Sequence, residues 1–190
     1  MKDELDVALA ITSALESLGI AHFVGGSLAS SLQGEPRSTN DIDLIIDLSE
    51  SGVGELVAAL GADFDVDVEA LKRAMRERGS WNIFFTPLVL KIDLFALGTT
   101  EFDRSEMDRR RRVIVREDGA ALYVKSPEDT VLRKLRWYRD GGEVSDRQWR
   151  DVLGVLRVSG PFLDVDYLDR WAPRIGVDGL LARARASIPP

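Results

Sequence analysis

Apolar positions recur at helical spacing at the start of the chain. Leu5, Ala8, Leu9, Ile11, Leu15 and Leu18 line one face of residues 3–18, and Gly19 supplies a stop. AHFVGG (21–26) reads as a short strand ending in glycines, SLASSL (27–32) as the start of a helix, and QGEPRSTN (33–40) as a loop. Alternation in DIDLIID (41–47) predicts a strand, and Ser49 is placed to cap a helix running to about Leu60. GADFDVDVE (61–69) fits either a strand or an acidic loop before a helix at 69–77. WNIFFT (81–86) and LVLKIDLFAL (88–97) predict two more strands, with Pro87 between them or at the start of the second. Residues 101–112 are charged and helical in pattern, and VIVRE and ALYVK around Asp118-Gly119 predict a hairpin.

The pattern changes near Lys125. Ser126-Pro127-Glu128-Asp129 joins a cap, a first-turn proline and acids set against the helix dipole. Helical patterns follow at 126–139, 145–158, 165–172 and 177–186. The expected organisation is an α/β domain over 1–125 and a helical C-terminal region over 126–190 packed on it. Internal repeats and low-complexity tracts are absent from the sequence.

Composition narrows the chemistry. The 190 residues are 45% hydrophobic, enough to bury a core, and the formal charge of -7 gives no general footprint for nucleic acid. No cysteine is present, which excludes disulfides, thiolate zinc sites and cysteine nucleophiles. One histidine, His22, cannot by itself build an imidazole metal site. A bound metal must then be held mainly by oxygen, which favours magnesium or manganese. The N-terminal stretch lacks the basic start and unbroken apolar run of a signal peptide, and no run reaches membrane-spanning length. The expectation is a soluble, cytoplasmic protein that does not enter a membrane.

Three features converge on one kind of chemistry. Gly25-Gly26-Ser27 lies between a predicted strand and a predicted helix. Glycine lets the backbone approach a phosphate, and a helix start offers unpaired N–H groups; a tight turn that simply needs glycine is the plainer reading. Asp41 and Asp43 fall at i and i+2 of one strand, on the same face and ~6.6 Å apart along it. Their repulsion calls for a cation, unless the two serve a turn or a solvated edge. Asp93 lies in the apolar run Val89-Leu90-Lys91-Ile92-Asp93-Leu94-Phe95, sharing a face with Lys91, and needs a metal or a basic partner there.

Val24-Gly25-Gly26-Ser27, then Gly34, then Arg37-Ser38-Thr39-Asn40-Asp41-Ile42-Asp43-Leu44, then Lys91-Ile92-Asp93-Leu94-Phe95, resembles the nucleotidyltransferase (DNA polymerase β-like) superfamily. In style it is similar to bacterial hypothetical nucleotidyltransferases near the abortive-infection (AbiEii-type) group. The front of the chain resembles the catalytic domain. Lys134 and Ser145-Asp146-Arg147-Gln148-Trp149-Arg150-Asp151 resemble the helical tail. The resemblance implies a nucleotidyltransferase fold, a mixed sheet flanked by helices with helices at the C-terminus. It also implies magnesium or manganese on Asp41, Asp43 and Asp93, and a nucleoside triphosphate at Gly25, Gly26 and Ser27. Arg37 and Thr39 would touch phosphate or brace the loop, and Lys134 would reach the nucleotide from the tail. The implied activity is transfer of a nucleoside monophosphate, with release of pyrophosphate, to an acceptor hydroxyl on protein, RNA or a small molecule. The alternative is a catalytically silent nucleotide- or partner-binding module, for example a toxin–antitoxin component.

Other features read more plainly. Asp63, Asp65 and Asp67 suit a solvated loop or helix start, and Arg104, Arg109 to Arg112 and Arg116 suit a surface ion-pair face. His22 reads as a strand residue, and Trp137, Tyr138 and Trp149 as packing between tail helices.

Overall fold

Alternate side chains of the strand at 41–46 are buried while their neighbours are not, and this alternation organises the α/β part of the chain. The computed structural model describes residues 3–36 and 41–188. The chain divides into two units, Met1–Ser27 with Thr39–Lys125, and Leu28–Ser38 with Ser126–Pro190.

The first unit holds α1 (Glu4–Ser17), β1 (His22–Val24), the start of α2 (Gly26–Gln33), β2 (Asp41–Ile46), α3 (Val53–Leu60) and β3 (Phe64–Asp65). It continues with α4 (Val68–Arg76), β4 (Ser80–Phe85), β5 (Leu90–Ala96), α5 (Glu101–Asp108), β6 (Arg111–Ile114) and β7 (Ala121–Val124). The strands form one seven-stranded mixed sheet in the order β3-β4-β5-β2-β1-β7-β6. Central β2 runs parallel to β5 and antiparallel to β1, and β1 runs parallel to β7.

Ile42, Leu44 and Ile46 of β2, Ile92 and Leu94 of β5, and Ile83 and Phe85 of β4 are all buried. Paired residues share a face, so these form one apolar layer, with α4 packed on β4 and β5 and α3 packed between α1 and α4. Each such side chain contributes roughly 1.5–3 kcal/mol on full burial. A one-residue slip of β2 would expose its three apolar residues and bury Asp41 and Asp43, so the core fixes the face on which the acids stand.

Local sequence sets the element ends. Asp3 accepts from the Asp6 N–H at 2.9 Å while Asp6 accepts from the Asp3 N–H at 3.0 Å, a reciprocal cap for α1. GADFDVDVE contributes to both of its expected forms: Phe64 and Asp65 make a short edge strand, and Asp67 caps α4 by accepting from the Ala70 N–H at 3.0 Å. Ser49 differs from expectation. It precedes a short 3-10 turn (Glu50–Gly52) without a side-chain cap bond, its hydroxyl lies 2.9 Å from that of Ser51, and α3 starts at Val53. The helix expected over 101–112 stops at Asp108, because Arg111 and Arg112 pair with Val124 and Tyr123 in the hairpin, whose ladder satisfies their backbone groups.

Val89 ends the turn between β4 and β5 in the left-handed region, at φ 51°, with 83% of its surface exposed. A β-branched residue is strained there, by about 1–2 kcal/mol. Asparagine tolerates that conformation, so Val89→Asn is expected to raise the melting temperature by roughly 2–4 °C. A thermal melt checks this, and an unchanged or lower midpoint would refute it.

His22 is 2% exposed on β1, with Nδ1 2.9 Å from the Ile20 carbonyl. Burial pushes its pKa below the ordinary value, partly offset by the Ile20 bond. The unfolded chain therefore binds this proton more readily than the folded one. The stability linked to His22 is full above its unfolded value of about 6.5 and declines as pH falls through that value toward the folded one. Denaturant midpoints are expected to drop between pH 7.5 and 5.5, and the His22→Asn variant to show a flatter profile.

The second unit contains α6 (Pro127–Asp140), α7 (Asp146–Ser159), α8 (Val165–Arg174) and α9 (Asp178–Ala186). Ser126 caps α6 by accepting from the Asp129 N–H at 3.1 Å, and Tyr167 on α8 donates to Asp129 at 2.6 Å. Tyr138 and Trp149 join α6 to α7 with ring centroids 5.2 Å apart, whereas Trp137 stands 42% exposed. Among the described residues no helix is long and apolar enough to cross a membrane.

Candidate active site

The chain leaves β1, passes Gly25 and enters α2 at Gly26 without an intervening loop. The Gly25 N–H donates to the Asp43 carbonyl at 2.8 Å, fixing this turn to β2. Gly26 has φ 54°, and a Cβ there would lie 1.6 Å from Asp43 Oδ2 and 2.4 Å from its Cγ. Glycine is thus required both by backbone conformation and by the carboxylate resting against it. At Gly25 an added Cβ would meet Ile45 Cδ1 at 2.9 Å and Lys125 Cε at 3.2 Å. Ser27 follows as the second residue of α2.

Asp41 and Asp43 share one face of β2, and parallel pairing with β5 sets Asp41 beside Lys91 and Asp43 beside Asp93. Neighbouring strands lie ~4.8 Å apart, so three carboxylates crowd one patch of sheet. Burial is the main force pushing the Asp43 pKa above the ordinary carboxylate range, followed by repulsion from Asp41 and then Asp93; Lys125 and Lys91 pull the other way. Asp93 is 8% exposed, and its Oδ2 accepts from Lys91 Nζ at 2.6 Å. That hydrogen bond is the largest cause raising the Lys91 pKa.

Among the described residues, no group of three or more His, Cys, Asp or Glu side chains is gathered closely enough to hold a metal ion. The donor chemistry nevertheless fits a divalent cation. Asp41, Asp43 and Asp93 are all-oxygen donors, and Asp43 is repelled by both of the others.

The structure brings Gly25, Gly26, Asp41, Asp43 and Asp93 together in the first unit. Arg37 and Thr39, with Asn40, lie outside the described residues. Lys134 belongs to the second unit, where it is 3% exposed and donates to Asp151 Oδ2 at 2.8 Å and Gln148 Oε1 at 3.1 Å. Its partners come from the 145–151 run noted in the sequence.

Two lysines complete the electrostatics of the acid patch. Lys91 was visible in sequence, two residues before Asp93 on a strand. Lys125 was not: it reaches Gly25 only because β7 pairs in parallel with β1. Lys125 is 4% exposed, with Nζ 3.7 Å from Glu106 Oε1 and 5.6 Å from the centre of the Phe23 ring.

No family model matches the chain, and no curated protein matches its sequence. Solved structures resemble it. The solution structure of the antibiotic-resistance factor ANT(2'')-Ia aligns over 97% of this chain and 100% of that one, with TM-score 0.53 and 15% identity. The crystal structure of ANT(2'')-Ia in complex with adenylyl-2''-tobramycin aligns over 90% and 96%, with TM-score 0.53 and 14% identity. An antigenic nucleotidyltransferase-like protein from Paracoccidioides brasiliensis aligns over 94% and 89%, with TM-score 0.55 and 17% identity. The fold is that of the nucleotidyltransferases: a mixed sheet flanked by helices, with helices at the C-terminus.

Proposed function

We propose that this chain is a metal-dependent nucleotidyltransferase, moving a nucleoside monophosphate from a nucleoside triphosphate to an acceptor hydroxyl. The observation that carries the reading is the seating of Asp43 against Gly26 at the start of α2, with Asp93 beside it in register. A phosphate-binding helix start and a carboxylate cluster then adjoin, as in-line transfer at phosphorus needs. Asp41, Asp43 and Asp93 would hold Mg2+ or Mn2+. When bound, such ions lower the pKa of an acceptor hydroxyl and neutralise the leaving pyrophosphate. Gly25, Gly26 and Ser27 bind the triphosphate through backbone N–H groups and a hydroxyl. Arg37 and Thr39 are the proposed further contacts to phosphate.

The acceptor oxygen attacks the α-phosphorus and forms a new P–O bond. The bond from that phosphorus to the bridging oxygen breaks, and pyrophosphate leaves with its electrons. The acceptor proton passes to the Asp93 carboxylate, whose other neighbour, Lys91 Nζ, holds it in place. In ANT(2'')-Ia the bound compound is adenylyl-2''-tobramycin, and a nucleotidylated product is proposed here too, its acceptor a protein, an RNA or a small molecule.

The test is incubation with labelled nucleoside triphosphates, magnesium and cell extract, following the label. Transfer with stoichiometric pyrophosphate release is expected. A second reading, a silent nucleotide-binding module, is favoured by one observation, the Lys91 ammonium already seated on Asp93. Tight nucleotide binding without transfer to any component of the extract would select it.

A further inference from the structure

The row of residues that carries the acids does not end at Gly25. Lys125 follows β7, and its N–H donates to the Val24 carbonyl at 3.2 Å, so the pairing of β7 with β1 runs one residue past Val124. Val124 pairs with Val24, and Val24 with Leu44 on the buried apolar face. Lys125, one residue further on, therefore points to the opposite face, the face of Asp43. Across four strands the row reads Lys125, Gly25, Asp43, Asp93, with a cation at the end nearest the glycine turn.

Gly25 has no side chain, and Lys125 fills the room this leaves. A Cβ on Gly25 would lie 3.2 Å from Lys125 Cε and 3.6 Å from its Nζ. The ammonium thus rests against the turn that Gly26 and Ser27 continue. α5 holds it there. Met107 of α5 packs with Phe23 and Leu97, beside Ile45 and Tyr123. One residue earlier, Glu106 is 3% exposed, and its Oε1 lies 3.7 Å from Lys125 Nζ. The Phe23 ring, centred 5.6 Å from that nitrogen, adds a weaker attraction.

Stability does not account for this pair. Both partners are buried, and 3.7 Å is wider than a good hydrogen bond. An apolar pair of similar volume is often as stable or more so. What the pair provides instead is charge at a fixed place. Three carboxylates stand on the neighbouring strands, and a triphosphate arriving at the turn brings further negative charge. Lys91 is already bonded to Asp93. Burial, Asp41 and Asp93 raise the Asp43 pKa, and Lys125 opposes them more strongly than Lys91 does.

We propose that Lys125, braced by Glu106, is a positioning residue of the triphosphate site: its ammonium lies behind the Gly25-Gly26-Ser27 turn and offsets the acid row, so that nucleotide phosphates are accepted beside Asp43. It acts through the turn and through Asp43. Its effect falls on nucleotide affinity more than on the chemical step.

The inference rests on the transferase reading, in that a nucleoside triphosphate binds at this turn, and the experiment separates the two. The full chain and its variants are titrated with ATP, GTP, CTP and UTP in magnesium by calorimetry. Pyrophosphate release in cell extract and thermal melts are run alongside. Lys125→Met is expected to weaken triphosphate binding about tenfold or more, with the maximal rate of pyrophosphate release within about threefold of the parent. Glu106→Gln removes the opposing charge, and its affinity is expected to equal or exceed the parent's. Both single variants are expected to melt lower, because each leaves one charge of the pair buried. Lys125→Met/Glu106→Leu removes both charges; it is expected to melt within a few degrees of the parent and to bind as weakly as Lys125→Met. A packing role would weaken binding in both single variants in step with their melting temperatures and restore it in the double variant. That pattern, or parental affinity in Lys125→Met, would overturn the proposal. Triphosphate binding by the parent without pyrophosphate release would sink the transferase reading and leave the role of Lys125 standing. A parent that binds none of the four triphosphates would overturn both.

Discussion

Replacing Asp43 by asparagine is expected to lower nucleotidyl transfer at least a hundredfold and, at the same time, to make the protein more stable at neutral pH. The first effect follows from removing the carboxylate that faces both Gly26 and Asp93; a hundredfold corresponds to roughly 2.7 kcal/mol of transition-state stabilisation. The second follows from linkage. Burial, then Asp41, then Asp93 hold the Asp43 pKa above its unfolded value. A raised carboxyl contributes stability that is present below the unfolded value of about 3.9 and is lost as pH rises through the folded value. At pH 7 the ionised group therefore opposes folding, and a neutral amide of the same shape removes that opposition. Thermal melts and pyrophosphate release, measured on the same preparation at pH 7, check both halves. A variant that melts lower and still releases pyrophosphate at the parental rate would refute both the site and its electrostatics. A site that is costly to fold and retained for its chemistry is the usual trade between stability and activity.

Gly26→Ala should be the most damaging small substitution in the described chain. Its new methyl group would overlap Asp43 Oδ2, 1.6 Å away, and its backbone would keep φ near 54°. The left-handed conformation costs about 1–2 kcal/mol for alanine. Overpacking adds about 1–3 kcal/mol. A loss of roughly 3 kcal/mol is expected, or a fall of about 6–12 °C in melting temperature for a chain of this size. Transfer should fall at least a hundredfold, because Asp43 must move. Gly19→Ala is the control: its φ is 67° but nothing lies within 4 Å of the added Cβ, so only the backbone part should appear. The Gly26→Ala/Asp43→Ala double variant separates the two contributions. It should recover part of the overpacking loss, since the Cβ of residue 43 stays 2.9 Å from the new methyl group, and none of the activity. Equal losses in Gly26→Ala and Gly19→Ala would show that Asp43 does not rest on the turn.

The lysines show where sequence reasoning reaches its limit. Lys91 and Asp93 are two positions apart on one strand, and the period of a strand alone puts them on one face, so their ion pair was among the readable options. Lys125 is about a hundred positions from Gly25, and no local pattern joins them. Only the parallel pairing of β7 with β1 does. Lys134 makes the same point from the other side. Its position in the tail was legible, but the buried bond to Asp151 depends on how α6 and α7 pack.

What the sequence determined by itself is what short-range periodicity and local chemistry encode. The alternation of β2 put Asp41 and Asp43 on one face and three aliphatic residues on the other, Ser126 marked the start of the tail helices, and the missing cysteines limited the donors to oxygen. Tertiary structure decided which face met which. It set Asp43 beside Asp93, laid that carboxylate against Gly26, and brought Lys125 in behind the turn. The physical reason is that register between distant strands is fixed by burying apolar side chains throughout the sheet at once, a cooperative choice that no stretch of chain makes alone.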